Sequence, residues 1–244
     1  MGAGAGRVLD VGCGDGFESI GLATRARRVV GVDYDASATA TAAAARVGAT
    51  RLAVCQMDSL ALGLASGAFD WVCSSHVVEH FERPEVHVAE VARVTAPGGT
   101  AFFLTPNAPA DFENPFHLHL FGPDDLALVL GRWFGDVEVR GLDASESVKA
   151  DLASRRAKAQ KLLALDVLDL RHRIPRRWYV GMYSRLLPLA YRALARGGTG
   201  GASGITADDW FVTDAISDTT PVLFASCRLP GRSSRTRAGT AWAP

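Results

Sequence analysis

No apolar run in this 244-residue sequence reaches the roughly 20 residues that a membrane-spanning helix needs. Nothing therefore reads as a transmembrane helix. The first residues, MGAGAG, lack a charged region followed by an apolar core, so no secretory leader is expected. Gly6 stands where an N-terminal acylation pattern needs Ser or Thr. Cysteine is scarce: Cys13, Cys55, Cys73 and Cys227 lie far apart, with no C-x-x-C pair. That spacing excludes a disulfide framework and points to reduced thiols in a cytoplasmic chain. No H-E-x-x-H occurs, and no metal is expected. Net charge is absent too, with 26 basic and 26 acidic side chains, so no global field favours nucleic acid.

What the sequence has is apolar content, 48% of residues, enough for a full core. The length allows one α/β domain with decoration. The organising stretch is Arg7 to Thr24, RVLDVGCGDGFESIGLAT. Val8, Leu9 and Val11 read as a buried strand, and Phe17, Ile20, Leu22 and Ala23 as the helix after it. Between them lie Gly12, Gly14 and Gly16. Glycine suits a turn that needs positive φ and close approach of a ligand to bare backbone. Amides at the start of the new helix are expected to face that ligand.

A dinucleotide fingerprint G-x-G-x-x-G would place its third glycine at position 17, which is Phe17. Here the third glycine comes one residue early, and Asp10 closes the strand. The resulting D-V-G-C-G-D-G resembles the first motif of class I S-adenosylmethionine-dependent methyltransferases. The chemistry agrees, because that cofactor has no pyrophosphate and carries an ammonium and a sulfonium that tolerate nearby acids. The resemblance covers about residues 7–140 and 221–228. It implies a Rossmann-like α/β fold: a seven-stranded, mostly parallel sheet with helices on both faces. A helical insertion precedes the last strand.

The second strand, RVVGVD, ends in Asp33, placed to accept hydrogen bonds from both ribose hydroxyls. Tyr34 is a candidate to stack on adenine, and Asp35 reads as the cap of the next helix. The third strand, Arg51 to Cys55, is followed by Asp58 and Ser59. The resemblance implies that Asp58 meets the adenine amino group. A fourth strand around Trp71 to Cys73 leads into SSHVVEHFERPE, Ser74 to Glu85. In the resembled family this segment lies beside the reacting methyl group. The cofactor-binding set is thus Asp10, Gly12, Cys13, Gly14, Gly16, Asp33, Tyr34, Asp58, Ser59 and Ser75.

His76 and His80 are candidates for a general base. Packing is the ordinary reading of both. The segment lacks the Asp/Asn-Pro-Pro-Tyr tetrad of enzymes that methylate amino groups of bases, which argues against nucleic acid as a partner. A helix from Pro84 to Thr95, a turn, and a fifth strand from Thr100 to Thr105 follow. Pro106 to Gly122 is a long polar-aromatic loop, in which His117 and His119 are candidate substrate contacts. A further helix starts at Pro123, and Asp136 to Arg140 reads as the sixth strand.

The last strand, Pro221 to Arg228, arrives 80 residues later. Two helical stretches, about 147–171 and 177–196, and the linker GGTGGASG fill the gap. Residues 149–196 carry twelve basic and three acidic side chains, a net of +9, so the rest of the chain nets −9. Trp178, Tyr179 and Tyr183 add an aromatic side to the second stretch. The domain reading is a core of 1–140 plus 205–229, a basic helical lid of 141–204, and a tail of 230–244 with the composition of disorder. The implied activity is methyl transfer from S-adenosylmethionine to an oxygen or nitrogen of a small acceptor. An anionic, sugar-linked or lipid-linked acceptor and a peripheral membrane contact would suit the basic insertion. The competing reading is a cofactor-binding regulator or partner subunit without catalysis.

Overall fold

Val8 and Leu9 are neighbours in the chain and both fully buried, yet they belong to different apolar layers. Successive residues of a strand point to opposite faces, so a strand that buries both must be covered on both sides. The computed structural model describes residues 5–46, 48–111, 117–163 and 205–231. In it, β1 (Ala5–Val11), β2 (Ala26–Asp33), β3 (Leu52–Gln56), β4 (Phe69–Ser75) and β5 (Thr95–Pro106) pair in parallel. Then β6 (Asp136–Ala144), β7 (Trp210–Thr213) and β8 (Val222–Arg228) complete one sheet in the order β3-β2-β1-β4-β5-β8-β6-β7. β8 runs antiparallel to both β5 and β6, and β7 antiparallel to β6.

On one face Val8, Val29 and Leu52 pack with Ile20, Leu22 and Ala23 of α1 (Phe17–Ala23). On the other, Leu9, Val11, Val72 and Phe103 pack with Val88 and Val91 of α3 (Pro84–Val94) and Leu126 and Leu130 of α4 (Pro123–Leu130). Each such aliphatic side chain contributes roughly 1.5–3 kcal/mol by leaving water. α2 (Ala36–Ala45) starts where expected: Asp35 accepts from the amides of Ser37 and Ala38. Pro84 and Pro123 open their helices, where a missing N–H costs nothing.

The α/β class and the mostly parallel sheet are as the sequence implies, but the strand count is corrected from seven to eight. β7 is four residues, WFVT, at the sheet edge, with Phe211 and Val212 half-exposed. An edge strand is held by its ladder rather than by burial, so no apolar alternation marks it. It pairs with Gly141–Ala144, the part of β6 that lies beyond the expected end at Arg140. Of the insertion, α5 (Glu146–Leu163) falls among the described residues. The rest of its first helical stretch, the second stretch with Trp178, Tyr179 and Tyr183, the glycine linker, and the tail from 232 lie outside them.

The strand order fixes where a ligand can sit. From β1 the chain moves outward to β2 and β3, then returns to build β4 and β5 on the other side. The helices leaving β1 and β4 therefore diverge, opening a crevice at the carboxyl ends of those two strands.

Candidate functional site

The first wall of this crevice is the turn after β1. Gly12, Gly14 and Gly16 have φ of 77°, 52° and 84°, all in the region that side chains resist. Each does so for a different neighbour. A Cβ at Gly12 would strike Val77, which follows β4. One at Gly16 would lie 2.8 Å from the Ala42 Cβ of α2. At Gly14 nothing stands within 4 Å, so this glycine borders open space. Four amides of the turn that precedes the helix already have partners within the protein. Gly12 and Cys13 N–H donate to the Val32 carbonyl, Gly14 N–H to Asp33 Oδ2 at 2.9 Å, and Gly16 N–H to the Cys13 carbonyl. The end of β2 and the loop satisfy these donors, and the turn offers shape.

Asp10 and Cys13 turn inward. The Asp10 carboxylate is 1% exposed and accepts from the Ser19 hydroxyl of α1, so strand and helix are stapled across the turn. Burial pushes its pKa up to about 6, against the lowering effect of Ser19. The Cys13 thiol is buried against Gly31, and burial pushes it up to about 12. As side chains, both shape the loop from behind; neither reaches the crevice surface.

Asp33 ends β2 with its carboxylate partly exposed. Oδ2 receives Gly14 N–H, and Oδ1 receives Asp35 N–H at 2.8 Å. Each oxygen keeps a second lone pair for another donor. Tyr34 beside it is 76% exposed, its ring in solvent and its carbonyl tied to Gln56. Asp58 is exposed after β3 and folds back on the Leu60 amide. Ser75 is the last residue of β4, and Ser59 lends its carbonyl to His87. These residues therefore line the carboxyl ends of β2, β3 and β4, the same edge as the glycine turn.

The fourth strand is followed by a strained residue. His76 has φ of 55°, and its amide donates to the Leu104 carbonyl of β5. For a residue other than glycine this conformation costs about 1–2 kcal/mol. A short 3₁₀ turn, Val78–His80, then drops Glu79 into the interior, 1% exposed. Glu79 Oε2 accepts from the Thr105 hydroxyl at 3.1 Å, and Oε1 stands 3.5 Å from His76 Nδ1. Burial pushes this carboxyl up, but His76, the backbone N–H and His80 more than offset it and hold it below the usual glutamate range.

The Glu79 carbonyl also accepts the amides of Leu118 and His119, which ties the loop after β5 to this turn. In that loop His117 Nδ1 pairs with Asp111 Oδ2 at 2.6 Å, and the His80 and His117 rings meet edge to face. His119 Nε2 donates to the Glu82 carbonyl, and its ring stacks on Phe121. The structure thus brings His76, His80 and His117 around Glu79, and sets His119 against the backbone at the rim.

Two participants escaped sequence reading. Glu79 was not singled out in the sequence; its i+3 spacing from His76 was the available signal. His87 of α3 is fully buried, and burial pushes its pKa down to about 4. Its Nδ1 faces the Ser59 carbonyl and must donate, so Nε2 accepts from the Ser74 hydroxyl at 2.9 Å. Through it α3 braces both the post-β3 turn and the end of β4.

A doubly wound sheet with a glycine turn at its switch point and an acid ending the second strand is the architecture of class I S-adenosylmethionine-dependent methyltransferases. Residues 9–103 match the family model described as a methyltransferase domain, a likeness that supports the class I S-adenosylmethionine-dependent methyltransferase reading for this part of the chain. The protein named Probable S-adenosylmethionine-dependent methyltransferase Rv3030, from Mycobacterium tuberculosis, is 34% identical over 142 residues, covering 55% of this chain and 51% of that one. A ubiquinone biosynthesis O-methyltransferase from Azoarcus sp. is 35% identical over 103 residues, 41% of this chain and 44% of that one. The chain thus spans about half the length of these curated relatives. Among solved structures, the 4+2 cyclase SpnF shares the fold with a TM-score of 0.59 at 18% identity, over 94% of this chain and 77% of that one.

Proposed function

We propose that this chain binds S-adenosylmethionine at the carboxyl ends of β1, β2 and β4 and transfers its methyl group to an oxygen or nitrogen of a small molecule. The observation that carries this reading is the glycine turn clamped to Asp33, with open space at Gly14 and spare lone pairs on the carboxylate. The ribose hydroxyls donate to Asp33, Tyr34 covers the adenine, and Asp58 meets its amino group. The acceptor's lone pair attacks the methyl carbon as the carbon–sulfur bond breaks, and S-adenosylhomocysteine leaves. Holding donor and acceptor in line supplies much of the rate.

In this reading His76 takes the acceptor's proton, oriented by Glu79 behind it. The substrate wall is the loop carrying His117 and His119. The net charge of +9 over 149–196 supports an anionic acceptor, and the aromatic residues there support one with an apolar part, sugar- or lipid-linked. Among the described residues no helix is long and apolar enough to cross a membrane.

Calorimetry with S-adenosylhomocysteine and with NAD, followed by labelled-methyl transfer to a panel of phenols, carboxylates, sugars and amines, tests the proposal. Binding of S-adenosylhomocysteine alone, with turnover of one acceptor class, is expected. Binding of NAD in its place would refute the cofactor. Cofactor binding with no turnover on any acceptor would favour the non-catalytic reading.

A further inference from the structure

Three side chains from two distant segments converge behind the end of β4. Glu79 and His80 come from the 3₁₀ turn and His117 from the loop after β5. One ligand-capable atom from each lies within 4.8 Å of the others. Two further observations single out this group. Glu79 Oε1 is buried and makes no well-formed hydrogen bond, with His76 Nδ1 3.5 Å away, although a buried carboxylate oxygen ordinarily has a close donor. His117 Nδ1 donates to Asp111 across 2.6 Å, with the two side chains 9% and 4% exposed. In the neutral ring that bond places the lone pair on Nε2. A carboxylate behind the far nitrogen is the arrangement that metal-ligating histidines use to fix tautomer and ring orientation.

The charges agree. Glu79 and Asp111 together supply two negative charges, which a divalent cation balances where burial makes net charge costly. Two imidazoles and one carboxylate form a donor set suited to zinc and its first-row neighbours, and three protein ligands leave positions open. Bonds of about 2.1 Å in a tetrahedral site set ligand atoms about 3.4 Å apart. The group must close by no more than about 1.4 Å from its widest separation, within reach of side-chain rotation.

We propose that Glu79, His80 and His117 bind a divalent transition-metal ion, with Asp111 orienting His117 and the open positions turned toward a hydroxyl-bearing acceptor. The ion would draw electron density from the acceptor oxygen and ease loss of its proton before attack on the methyl carbon. This use of the ion rests on the methyl-transfer reading; its binding does not. The sequence hid the site because His117 lies 37 residues beyond His80, outside any short metal motif.

The test titrates the untagged full chain with Co²⁺ and follows its visible ligand-field absorption, then displaces it with Zn²⁺. A band saturating at one equivalent is expected. His80→Ala and His117→Ala should weaken binding at least tenfold, and Asp111→Asn by about 10- to 100-fold. Cys55→Ser, at an exposed thiol, should leave the band unchanged. Circular dichroism and S-adenosylhomocysteine affinity should hold in every variant, which separates a lost ligand from a lost fold. No band in the wild-type chain, or a band that survives both histidine substitutions, overturns the proposal. Either result with intact S-adenosylhomocysteine binding leaves the methyltransferase reading standing.

Discussion

Gly14→Val is the sharpest perturbation of the glycine turn, because the structure separates its effect on folding from its effect on binding. With φ of 52°, a side chain here pays the left-handed penalty, about 2 kcal/mol for a branched residue. In a chain of this size each kcal/mol lowers Tm by about 2–4 °C, so a fall of about 4–8 °C is expected. No packing clash adds to it, since nothing stands within 4 Å of the new Cβ. The valine instead enters the space assigned to the cofactor. Forcing an extra branched group into an occupied site costs typically 1–3 kcal/mol, a loss of about 5- to 150-fold in affinity. Gly16→Ala is the control: its Cβ would sit 2.8 Å from Ala42, so it should lower Tm more while adding nothing to the crevice. Differential scanning fluorimetry and calorimetry with S-adenosylhomocysteine read both quantities on the same samples. Wild-type affinity in Gly14→Val would show the loop to be a turn and nothing more.

Other outcomes follow from the same geometry. Asp33→Ala removes a charge-assisted acceptor worth roughly 1.5–3 kcal/mol per ligand bond, so S-adenosylhomocysteine affinity should fall at least tenfold by calorimetry. His76→Ala should lower turnover by roughly 10²–10⁴ with little change in cofactor affinity, and a loss of only a few-fold would leave His76 as a packing residue. Two buried groups should oppose each other in acid. His87, with folded pKa near 4 against 6.5, contributes stability that is present above 6.5 and lost as pH falls to 4. Asp10, raised from 3.8 to about 6, contributes stability that is present below 3.8 and lost as pH rises through 6. Denaturation of Asp10→Asn from pH 6.5 to 4 should therefore show a steeper acid loss than wild type, and His87→Gln a shallower or reversed one. Parallel profiles in all three proteins would mean that neither shift survives in solution.

The half of the fold that binds by burial was legible. RVLDV and RVVGVD are dense in β-branched residues because both faces of β1 and β2 are covered, and a run covered on both sides announces itself. Asp35 was legible as a cap because capping is decided within four residues. Other features depend on distance in the chain. The inward turn of Asp10 needs Ser19 opposite it, and the burial of Glu79 needs Thr105 from the next strand. β7 went unread because its partner lies about 70 residues earlier and neither apolar face is buried. The gathering of His76, His80 and His117 around Glu79 depends on the Leu118 and His119 amides reaching the Glu79 carbonyl, which no local pattern encodes.

The position of β8 governs the order of assembly. This strand is the last described element of the chain, yet it lies in the interior of the sheet, with β5 on one side and β6 on the other. During synthesis, β1 to β5 can pair before β8 leaves the ribosome, whereas β6 and β7 have no route onto the sheet until it does. The twelve-residue β5 meanwhile presents a free edge of unpaired amides and carbonyls, a template for pairing between chains. The nascent protein is most exposed to aggregation in this interval, and its closing step joins residues more than 100 positions apart, such as Phe103 and Ala225. A chain cut before Val222 would lose more than seven residues of strand: it would release the whole β6–β7 hairpin and leave β5 open for good.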